Sequence, residues 1–369
     1  MDSIAHVRLR FLPLTETFIY GEVTGIMAYR VIVLCAERQN ADRFPYDNVR
    51  CTGDRGIVQH LVNGAYLKFG WGCPYFSKVV EEENVKLIHA HYGPTGVRML
   101  PLKRKHRLPL ITSFRGIDAS LFPSRSPGMY DRLFREGDLF LARSEDMRKD
   151  LVGMGCKDEK VVVHHSGIDL DEFKYAPRKE ADETVFLTVA RLTENKGVQY
   201  AIEAFAKTRE THPHTKLKVI GDGPYKCALE RKASELGVKD RVEFTGALPH
   251  ENVLEEMLKA HAFVLASYTT DEGEKEGVPN VLMEAQATGM PVVSTKHAGI
   301  PELVLDGRSG ILVGERDSEG LGDAMTGLLE NPGRWAKMGS EGRRHVEAEF
   351  NIKTQAKKLE AIYSRYAGG

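Results

Sequence analysis

Short apolar runs rich in β-branched residues alternate with longer stretches of helical periodicity along most of the chain. This alternation is typical of βαβ units, in which helices join parallel strands. The first series of predicted strands is Val31–Cys35, Lys86–Ala90, Leu110–Phe114, Leu139–Ala142 and Val161–His165. The second series is Val185–Ala190, Lys216–Ile220, Val242–Thr245, Phe263–Ala266, Val292–Ser294 and Ile311–Val313. The sequence therefore predicts the α/β class, with one parallel sheet in each half.

A polar stretch between the two series indicates where the domains meet. Residues 167–180 are mostly polar and contain Pro177, which is typical of a linker. The chain has 369 residues, enough for two domains of about 150 residues or more. We predict a first domain over residues 1–175 and a second over residues 176–350. Residues 351–369 carry apolar side chains at helical spacing, so we predict an amphipathic terminal helix there.

The charge balance excludes several classes of protein. Lys and Arg total 51 and Asp and Glu 52, so we expect no nucleic-acid partner. No apolar run approaches the roughly 20 residues of a membrane span, and the first residues lack a signal-like apolar core, so we expect a cytoplasmic protein. The densest basic run is Lys103–Arg107 in the first half. It is either a solvated helix end or a peripheral contact with an anionic acceptor or membrane headgroups.

Cofactor and metal sites are not indicated. The five cysteines are odd in number, widely spaced and never in a C-x-x-C pair, which predicts reduced thiols. His164 and His165 are adjacent on a predicted strand, so their side chains point to opposite faces and cannot readily bind one ion. The chain lacks the G-x-G-x-x-G and P-loop patterns. We predict no metal and no cofactor.

The segment Glu276–Glu284 follows a predicted strand through a polar loop and enters a helix. Pro279 lies where the first turn of a helix accepts proline. Backbone N–H groups at a helix start can hold an anion such as a diphosphate, and Gly277 permits close approach. We expect the two glutamates to reach different parts of one extended ligand. The alternative is that they are surface residues flanking an ordinary helix.

Several motifs together resemble a known family. They are Val189–Gly197 (V-A-R-L-T-E-N-K-G), Val219–Pro224 (V-I-G-D-G-P), Phe244–Gly246 (F-T-G) and the E-x7-E segment. In this order they resemble the donor-binding half of retaining glycosyltransferases of family 4. In the first half, Pro13–Ile19 and Ile88–Val97 look like the subgroup that builds colanic acid and related exopolysaccharides.

The resemblance implies a GT-B fold, with two Rossmann-like domains facing a cleft and a C-terminal helix packing back on the first. The first domain would bind the acceptor and the second the nucleotide sugar. Arg191 and Lys196 would hold the diphosphate, Glu276 would contact the donor sugar, and Glu284 would accept hydrogen bonds from the ribose hydroxyls. The other donor-binding residues would be Gly223, Gly277, Val278 and Pro279. Two cations suit a departing diphosphate and would make a metal redundant.

The acceptor side depends on His91 and Arg115. We expect His89 and His91 to point to opposite faces of a strand, and we choose His91 because a Gly-Pro loop follows it; a structural histidine is the alternative. The family motif T-F-H-G-x-D reads S-F-R-G-I-D here, with Arg115 at the histidine position. Arginine cannot act as a base at neutral pH. We predict that Arg115 is a cation aimed at a phosphate or an acidic acceptor, and that His91, Arg115 and Glu276 are the catalytic residues.

The predicted function is a retaining, metal-independent hexosyltransferase of exopolysaccharide assembly. Its donor is a nucleotide sugar, with a UDP-sugar preferred over GDP-mannose, and its acceptor is a saccharide or a lipid-linked saccharide. Two alternatives remain open: a sugar-nucleotide epimerase of the same fold, and a non-catalytic nucleotide-sugar-binding protein.

Overall fold

A computed structural model of the chain describes residues 1–13 and 16–368. Leu14 and Thr15, which belong to the Pro13–Ile19 motif, lie outside the described residues. The chain divides into two compact units. One comprises Met1–Gly167 together with Ile352–Gly369, and the other comprises Ile168–Asn351.

The first unit is built on parallel strands joined by helices. Its strands are β1 (Ser3–Val7), β2 (Arg10–Phe11), β3 (Arg30–Cys35), β4 (Glu37–Arg38), β5 (Val49–Cys51), β6 (Val85–His91), β7 (Leu110–Ser113), β8 (Leu139–Ala142) and β9 (Val161–Val163). Its helices are α1 (Thr17–Gly25), α2 (Ile57–Phe69), α3 (Pro74–Glu82), α4 (Gly93–His106), α5 (Leu121–Arg125), α6 (Asp131–Glu136), α7 (Glu145–Gly153) and the terminal helix (Ile352–Ser364). The main sheet has the order β5-β3-β1-β6-β7-β8-β9, and β2 pairs separately with β4.

All five strands predicted for this half are present, but β1, β2, β4 and β5 were not predicted. Strand β1 lies in the main sheet between β3 and β6, where Ile4 is paired with Val31 and Leu87. The five residues of β1 include the polar Ser3 and His6, which interrupt its apolar run, so the strand does not stand out in the sequence.

The second unit repeats the pattern. Its strands are β10 (Thr184–Val189), β11 (Thr215–Ile220), β12 (Val242–Gly246), β13 (Ala262–Leu265), β14 (Val292–Thr295) and β15 (Gly310–Val313). Its helices are α8 (Val198–Thr211), α9 (Lys226–Glu235), α10 (His250–Lys259), α11 (Asn280–Ala287), α12 (Ile300–Leu303), α13 (Ser318–Glu330) and α14 (Trp335–Glu349). The order is β12-β11-β10-β13-β14-β15, with every pairing parallel. The predicted pair of Rossmann-like domains is confirmed.

The boundary between the units differs from the predicted position near residue 175. The second unit already begins at Ile168. Ile168, Leu170 and Phe173 are buried in its hydrophobic core, and the guanidinium of Arg178 donates to the carbonyl oxygen of Met257 at 2.7 Å. The stretch that looked like a solvated linker is therefore part of the second unit.

The terminal helix packs on the first unit, as the resemblance implied. Leu359 and Tyr363 are fully buried in the same cluster as Ile4 of β1 and Ile19 of α1. Within the described part of the chain, no helix is both long and apolar enough to cross a membrane.

Candidate active site

The predicted donor-binding residues of the second unit lie at one edge of its sheet. Arg191 follows β10, Gly223 follows β11, and Glu276 lies between β13 and α11. Strand β10 is hydrogen-bonded to both β11 and β13. These loops therefore lie side by side at the carboxyl ends of the strands, where open parallel sheets bind ligands.

Lys196 and Glu276 form an ion pair at this edge. Nζ of Lys196 lies 2.5 Å from Oε1 of Glu276, and the two side chains are only 20% and 14% exposed. Nδ2 of Asn195 donates to the same carboxylate oxygen at 3.0 Å. A cation and a carboxylate this close can contact adjacent parts of one ligand. Arg191, in contrast, is exposed.

A second pair of polar residues holds the backbone of Glu276. The N–H of Glu276 donates to Nε2 of His297 at 3.1 Å. Nδ1 of His297 therefore carries the proton, and it donates to Oε1 of Glu315 at 2.7 Å. Burial alone would raise the pKa of Glu315, but hydrogen bonds from the Thr269 backbone and from His297 outweigh burial and lower that pKa. This chain of contacts fixes the loop that presents Glu276.

Glu284 lies in the second turn of α11, and its surroundings differ from those of Glu276. Burial raises the pKa of its carboxyl group to about 7, partly opposed by His250 and reinforced by Glu172. Within residues 1–13 and 16–368, no group donates a hydrogen bond to this carboxyl. A shielded carboxyl without a donor suits a ligand that brings hydroxyl groups.

The small residues of the predicted site shape its loops. A Cβ at Gly223 would lie 2.5 Å from the carbonyl oxygen of Leu192, so only glycine lets this turn pack against the end of β10. Gly277, Val278 and Pro279 occupy the loop before α11. The helix begins one residue after Pro279, so the proline precedes the helix and does not lie in its first turn as predicted.

In the first unit, three histidines gather at the carboxyl ends of β1 and β6. The rings of His89 and His91 stack with centroids 4.7 Å apart, and the ring of His6 lies 4.7 and 5.1 Å from them. The expectation that His89 and His91 point to opposite faces is wrong, because residues two apart on a strand share a face.

A hydrogen-bonded chain runs through these rings in one direction. Nη2 of Arg115 lies 2.6 Å from Nδ1 of His91, and since a guanidinium only donates, this nitrogen accepts. Nε2 of His91 then donates to Nδ1 of His6 at 3.0 Å. The chain continues from His6 to the hydroxyl of Tyr363 at 2.9 Å, from there to His89 at 2.5 Å, and from His89 to Ser113 at 2.7 Å.

These three rings are neutral. Burial lowers the pKa of His6 to about 4 and holds the pKa values of His89 and His91 well below the ordinary value. Both nitrogens of His91 are occupied, and the residue is fully buried. His91 therefore has no free nitrogen to accept a proton from a substrate.

Arg115 shares a buried carboxylate with a second arginine. Oε2 of Glu22 accepts from Nη2 of Arg115 at 3.1 Å and from Nη2 of Arg143 at 2.9 Å. Burial by itself would raise the pKa of Glu22, but the two arginines hold that pKa well below its ordinary value. Only 4% of the Arg115 side chain is exposed. Glu22 compensates this charge inside the unit, so a contact of Arg115 with a ligand stays a prediction.

The three histidines and Glu22 also offer potential metal ligands within 4.8 Å of one another. Their geometry is unfavourable for a divalent cation. Two guanidinium groups already bond Glu22 and would repel a second positive charge. The ring nitrogens are also used in the hydrogen-bonded chain described above.

Comparison with known sequences gives the family. Residues 169–345 match the family described as "Glycosyl transferases group 1", and residues 27–172 match "Glycosyltransferase Family 4". The chain is 36% identical to the "Putative colanic acid biosynthesis glycosyltransferase WcaL" of Escherichia coli (strain K12) over 74% of this chain and 69% of that protein. The chain therefore belongs to the glycosyltransferase family that these descriptions and this relative represent. It is also 33% identical to the "Amylovoran biosynthesis glycosyltransferase AmsK" of Erwinia amylovora, over 75% of this chain and 69% of that protein.

Solved structures show the same fold for this glycosyltransferase. Anabaena Alr3699/HepE in complex with UDP superposes with a TM-score of 0.80 at 20% identity, over 99% of this chain and 100% of that one. The same protein in complex with UDP-glucose gives a TM-score of 0.77 at 21% identity and the same coverage. The predicted GT-B class and family membership are confirmed.

Several polar residues of this glycosyltransferase escaped the sequence analysis. His297 and Glu315 follow β14 and β15, at the same sheet edge as the predicted donor residues. Their position after predicted strands was a usable signal. Glu22 and Arg143 carried no comparable signal, because their role depends on contacts made across the first unit.

Proposed function

We propose that this glycosyltransferase is a retaining, metal-independent hexosyltransferase. Its donor is a nucleotide sugar, a UDP-sugar in preference to GDP-mannose, and its acceptor is a saccharide or lipid-linked saccharide in exopolysaccharide assembly. The observation that carries the proposal is the Lys196–Glu276 ion pair. Glu284 follows Glu276 on the same loop and helix segment, and its carboxyl accepts no hydrogen bond from the described residues. One cation and two carboxyls match a ligand that joins a diphosphate, a sugar and a ribose.

The donor and pathway assignments draw on the relatives. The HepE structures contain UDP and UDP-glucose, which favours a uridine nucleotide. The relatives named for colanic acid and amylovoran biosynthesis favour a growing exopolysaccharide as the acceptor.

In the proposed mechanism, Arg191 and Lys196 bind the diphosphate. The bond between the anomeric carbon and the diphosphate oxygen breaks, and the acceptor oxygen bonds to the same face of that carbon. The departing phosphate oxygen takes the acceptor's proton, so no side chain has to act as base. Glu276 positions the sugar through its hydroxyls, and Glu284 accepts hydrogen bonds from the ribose. The two cations stabilise the charge that develops on the leaving diphosphate.

In this proposal, residues 168–351 bind the donor and the first unit binds the acceptor. His91 and Arg115 act there as positioning residues, since both are buried in the hydrogen-bonded chain. That chain stabilises the carboxyl ends of β1, β6 and β7, from which the loops of an acceptor site extend.

We also propose peripheral contact of the first unit with a membrane that carries the acceptor. The basic run Lys103–Arg107 is the predicted contact, but its charges are partly compensated. Nζ of Lys103 lies 2.5 Å from Asp138, and Arg104 pairs with Glu136. The run on its own therefore offers a weaker attraction to headgroups than its sequence indicates.

The test is a panel of UDP-, GDP- and ADP-sugars incubated with the full chain, with and without an acceptor saccharide. Release of nucleotide and an α-linked product from an α-linked donor, unchanged by EDTA, supports the proposal. An inverted product, or activity that EDTA abolishes and Mn²⁺ restores, contradicts the retaining or the metal-independent part. An isomerised sugar nucleotide would indicate an epimerase, and binding without turnover a non-catalytic protein.

A further inference from the structure

Helix α2 exposes apolar side chains and buries a polar one. Its only buried residues are Asn63 and Leu67. An ordinary surface helix has the opposite arrangement. The exposed apolar residues, here called the α2 face, are Ile57 (80% exposed), Val58 (74%), Leu61 (65%), Val62 (48%), Phe69 (59%) and Trp71 (66%). Single exposed apolar residues are common, but a contiguous group of this size marks an interaction surface.

The orientation of α2 is set by polar contacts on its inner side. Oδ1 of Asn63 accepts from Sγ of Cys73 and from the N–H of Tyr75, both at 3.3 Å. Nδ2 of Asn63 donates to the carbonyl oxygen of Gln59 at 2.8 Å. Rotation of the helix to bury its apolar residues would break these bonds. The outward direction of the α2 face is therefore built into the fold.

The chemistry of the α2 face fits a lipid surface. The rings of Phe69 and Trp71 stack with centroids 5.0 Å apart, and Tyr66 contacts Trp71 edge-on. Aromatic rings beside aliphatic side chains are typical of segments that lie at the membrane–water interface. Residues 57–72 contain no Asp or Glu, and Lys68 is their one Lys or Arg. This charge pattern is complementary to anionic headgroups.

The α2 face continues toward the basic helix α4. A Cβ at Gly72 would lie 3.1 Å from Cβ of Pro101 in α4, so the end of the apolar segment abuts that helix. Arg98 and Lys105 lie about one turn on either side of Pro101, on the same side of α4. Nζ of Lys105 donates to the hydroxyl of Ser77 at 2.6 Å and lies 3.7 Å from Oε1 of Glu81, so its charge is partly compensated. The basic groups beside the apolar segment are therefore chiefly Lys68 and Arg98.

We propose that the α2 face inserts into the headgroup boundary of an anionic phospholipid bilayer and anchors the first unit there. The anchor is mainly apolar, with Lys68 and Arg98 contributing attraction to headgroups. This inference rests on the proposed function, because an anchor at the membrane serves an acceptor that is linked to lipid. Lipid binding is nevertheless measured independently of sugar transfer. Because apolar insertion is not screened by salt, it differs in a measurable way from binding through Lys103–Arg107 alone.

The test uses the full chain and vesicles of phosphatidylglycerol and phosphatidylethanolamine. The chain has two tryptophans, and Trp335 is fully buried, so a blue shift of the emission on adding vesicles reports Trp71. Most of the bound protein should stay bound when salt rises from about 0.1 M to about 1 M, which shortens the screening length from about 10 Å to about 3 Å. Leu61→Glu should lower the vesicle partition coefficient about tenfold or more, the scale of one leucine burial. The matched control is Leu236→Glu, at a leucine that is 42% exposed on the second unit, and it should bind like the parent.

Three results would overturn the proposal. The parent protein could stay in the supernatant while it transfers sugar to a soluble acceptor. It could bind but be released by salt without a shift in Trp71 emission, which would assign binding to the basic residues. Finally, Leu61→Glu could dissolve a dimer seen by sedimentation velocity without changing vesicle binding, which would make the α2 face an interface between copies. Loss of transfer with every donor, alongside intact vesicle binding, would contradict the proposed function and leave the α2 anchor supported.

Discussion

Nζ of Lys196 lies 2.5 Å from Oε1 of Glu276, and this ion pair joins the loop after β10 to the loop after β13. The two side chains neutralise each other without a ligand. A bound diphosphate would take the lysine as its partner, while sugar hydroxyls would donate to the carboxylate. The pair therefore keeps both charged groups in place before the donor arrives.

Lys196→Ala should lower kcat by about 10²–10³, the scale of losing one preorganised electrostatic contact. Glu276→Ala should also lose turnover but keep nucleotide affinity, because its proposed partner is the sugar. The measurement is steady-state transfer together with calorimetry of UDP binding. Lys207→Ala, at an exposed lysine of α8, is the control and should match the parent. Parent-like turnover of both folded site variants would place the active site elsewhere.

Glu284 should make donor binding depend on pH. Its pKa is raised to about 7, and ribose hydroxyls form stronger hydrogen bonds with the ionised carboxylate than with the neutral carboxyl. The affinity for UDP-glucose should therefore rise as pH increases through about 7, while Glu284→Gln should show a flat profile. Glu284→Ala should weaken binding by about 1–3 kcal/mol. Titration calorimetry across pH 6 to 8, roughly one unit on either side of that pKa, measures both effects, and an identical pH profile for parent and Glu284→Gln would contradict the assignment.

The same carboxyl should affect stability with a defined sign. Its folded-state pKa lies above the ordinary value of about 4.3, so the folded protein binds this proton more tightly than the unfolded chain. The contribution of Glu284 to the free energy of unfolding should fall as pH rises from about 4.3 to about 7. Urea denaturation of the parent and of Glu284→Gln should show this slope in the parent alone.

His297→Ala should lower kcat about tenfold or more. This is the size of effect expected when a residue that orients a functional group is removed. The reason is that the N–H of Glu276 loses its acceptor and the loop loses its link to Glu315. His297→Gln, which can both accept and donate, should recover part of the rate. UDP affinity should change little in either variant, since a general loss of folding would reduce both quantities together.

Glu22→Gln should destabilise the first unit by about 3–5 kcal/mol, because two buried guanidinium groups lose their shared carboxylate. The pKa of Glu22 is held well below its ordinary value, so this stabilisation is present at neutral pH. It is lost only as pH falls through the lowered pKa. Chemical denaturation followed by circular dichroism measures the change. Glu82→Gln, at an exposed surface pair, should be nearly neutral, and equal stability of the two variants would contradict a structural role for the cluster.

The sequence alone determined the fold class and the sheet edge at which the proposed donor-binding residues lie. The sequence predicts strands at eleven apolar runs, and each run is a strand in the structure. The reason is that parallel strands buried on both faces require a continuous apolar sequence. The loop before α11 is indicated by its resemblance to the family motif, since two glutamates flanking a helix start are common in other proteins. The sheet-edge positions of Arg191 and Gly223 also followed, because βαβ topology places every such loop at the same edge.

Only the tertiary structure decided the interior of the first unit. Polar residues interrupt the apolar run of β1, yet this strand supplies His6 to a hydrogen-bonded chain that also needs Tyr363 from the terminal helix. The sequence predicts that the charge of Arg115 is aimed at a ligand, and only the structure shows that Glu22 lies beside it. The α2 face shows the same limit, because its periodicity is that of an amphipathic helix and only the contacts of Asn63 show which side faces out. Apolar patterning is a local property of the chain, whereas the pairing of buried polar groups depends on which distant segments folding brings within hydrogen-bond distance.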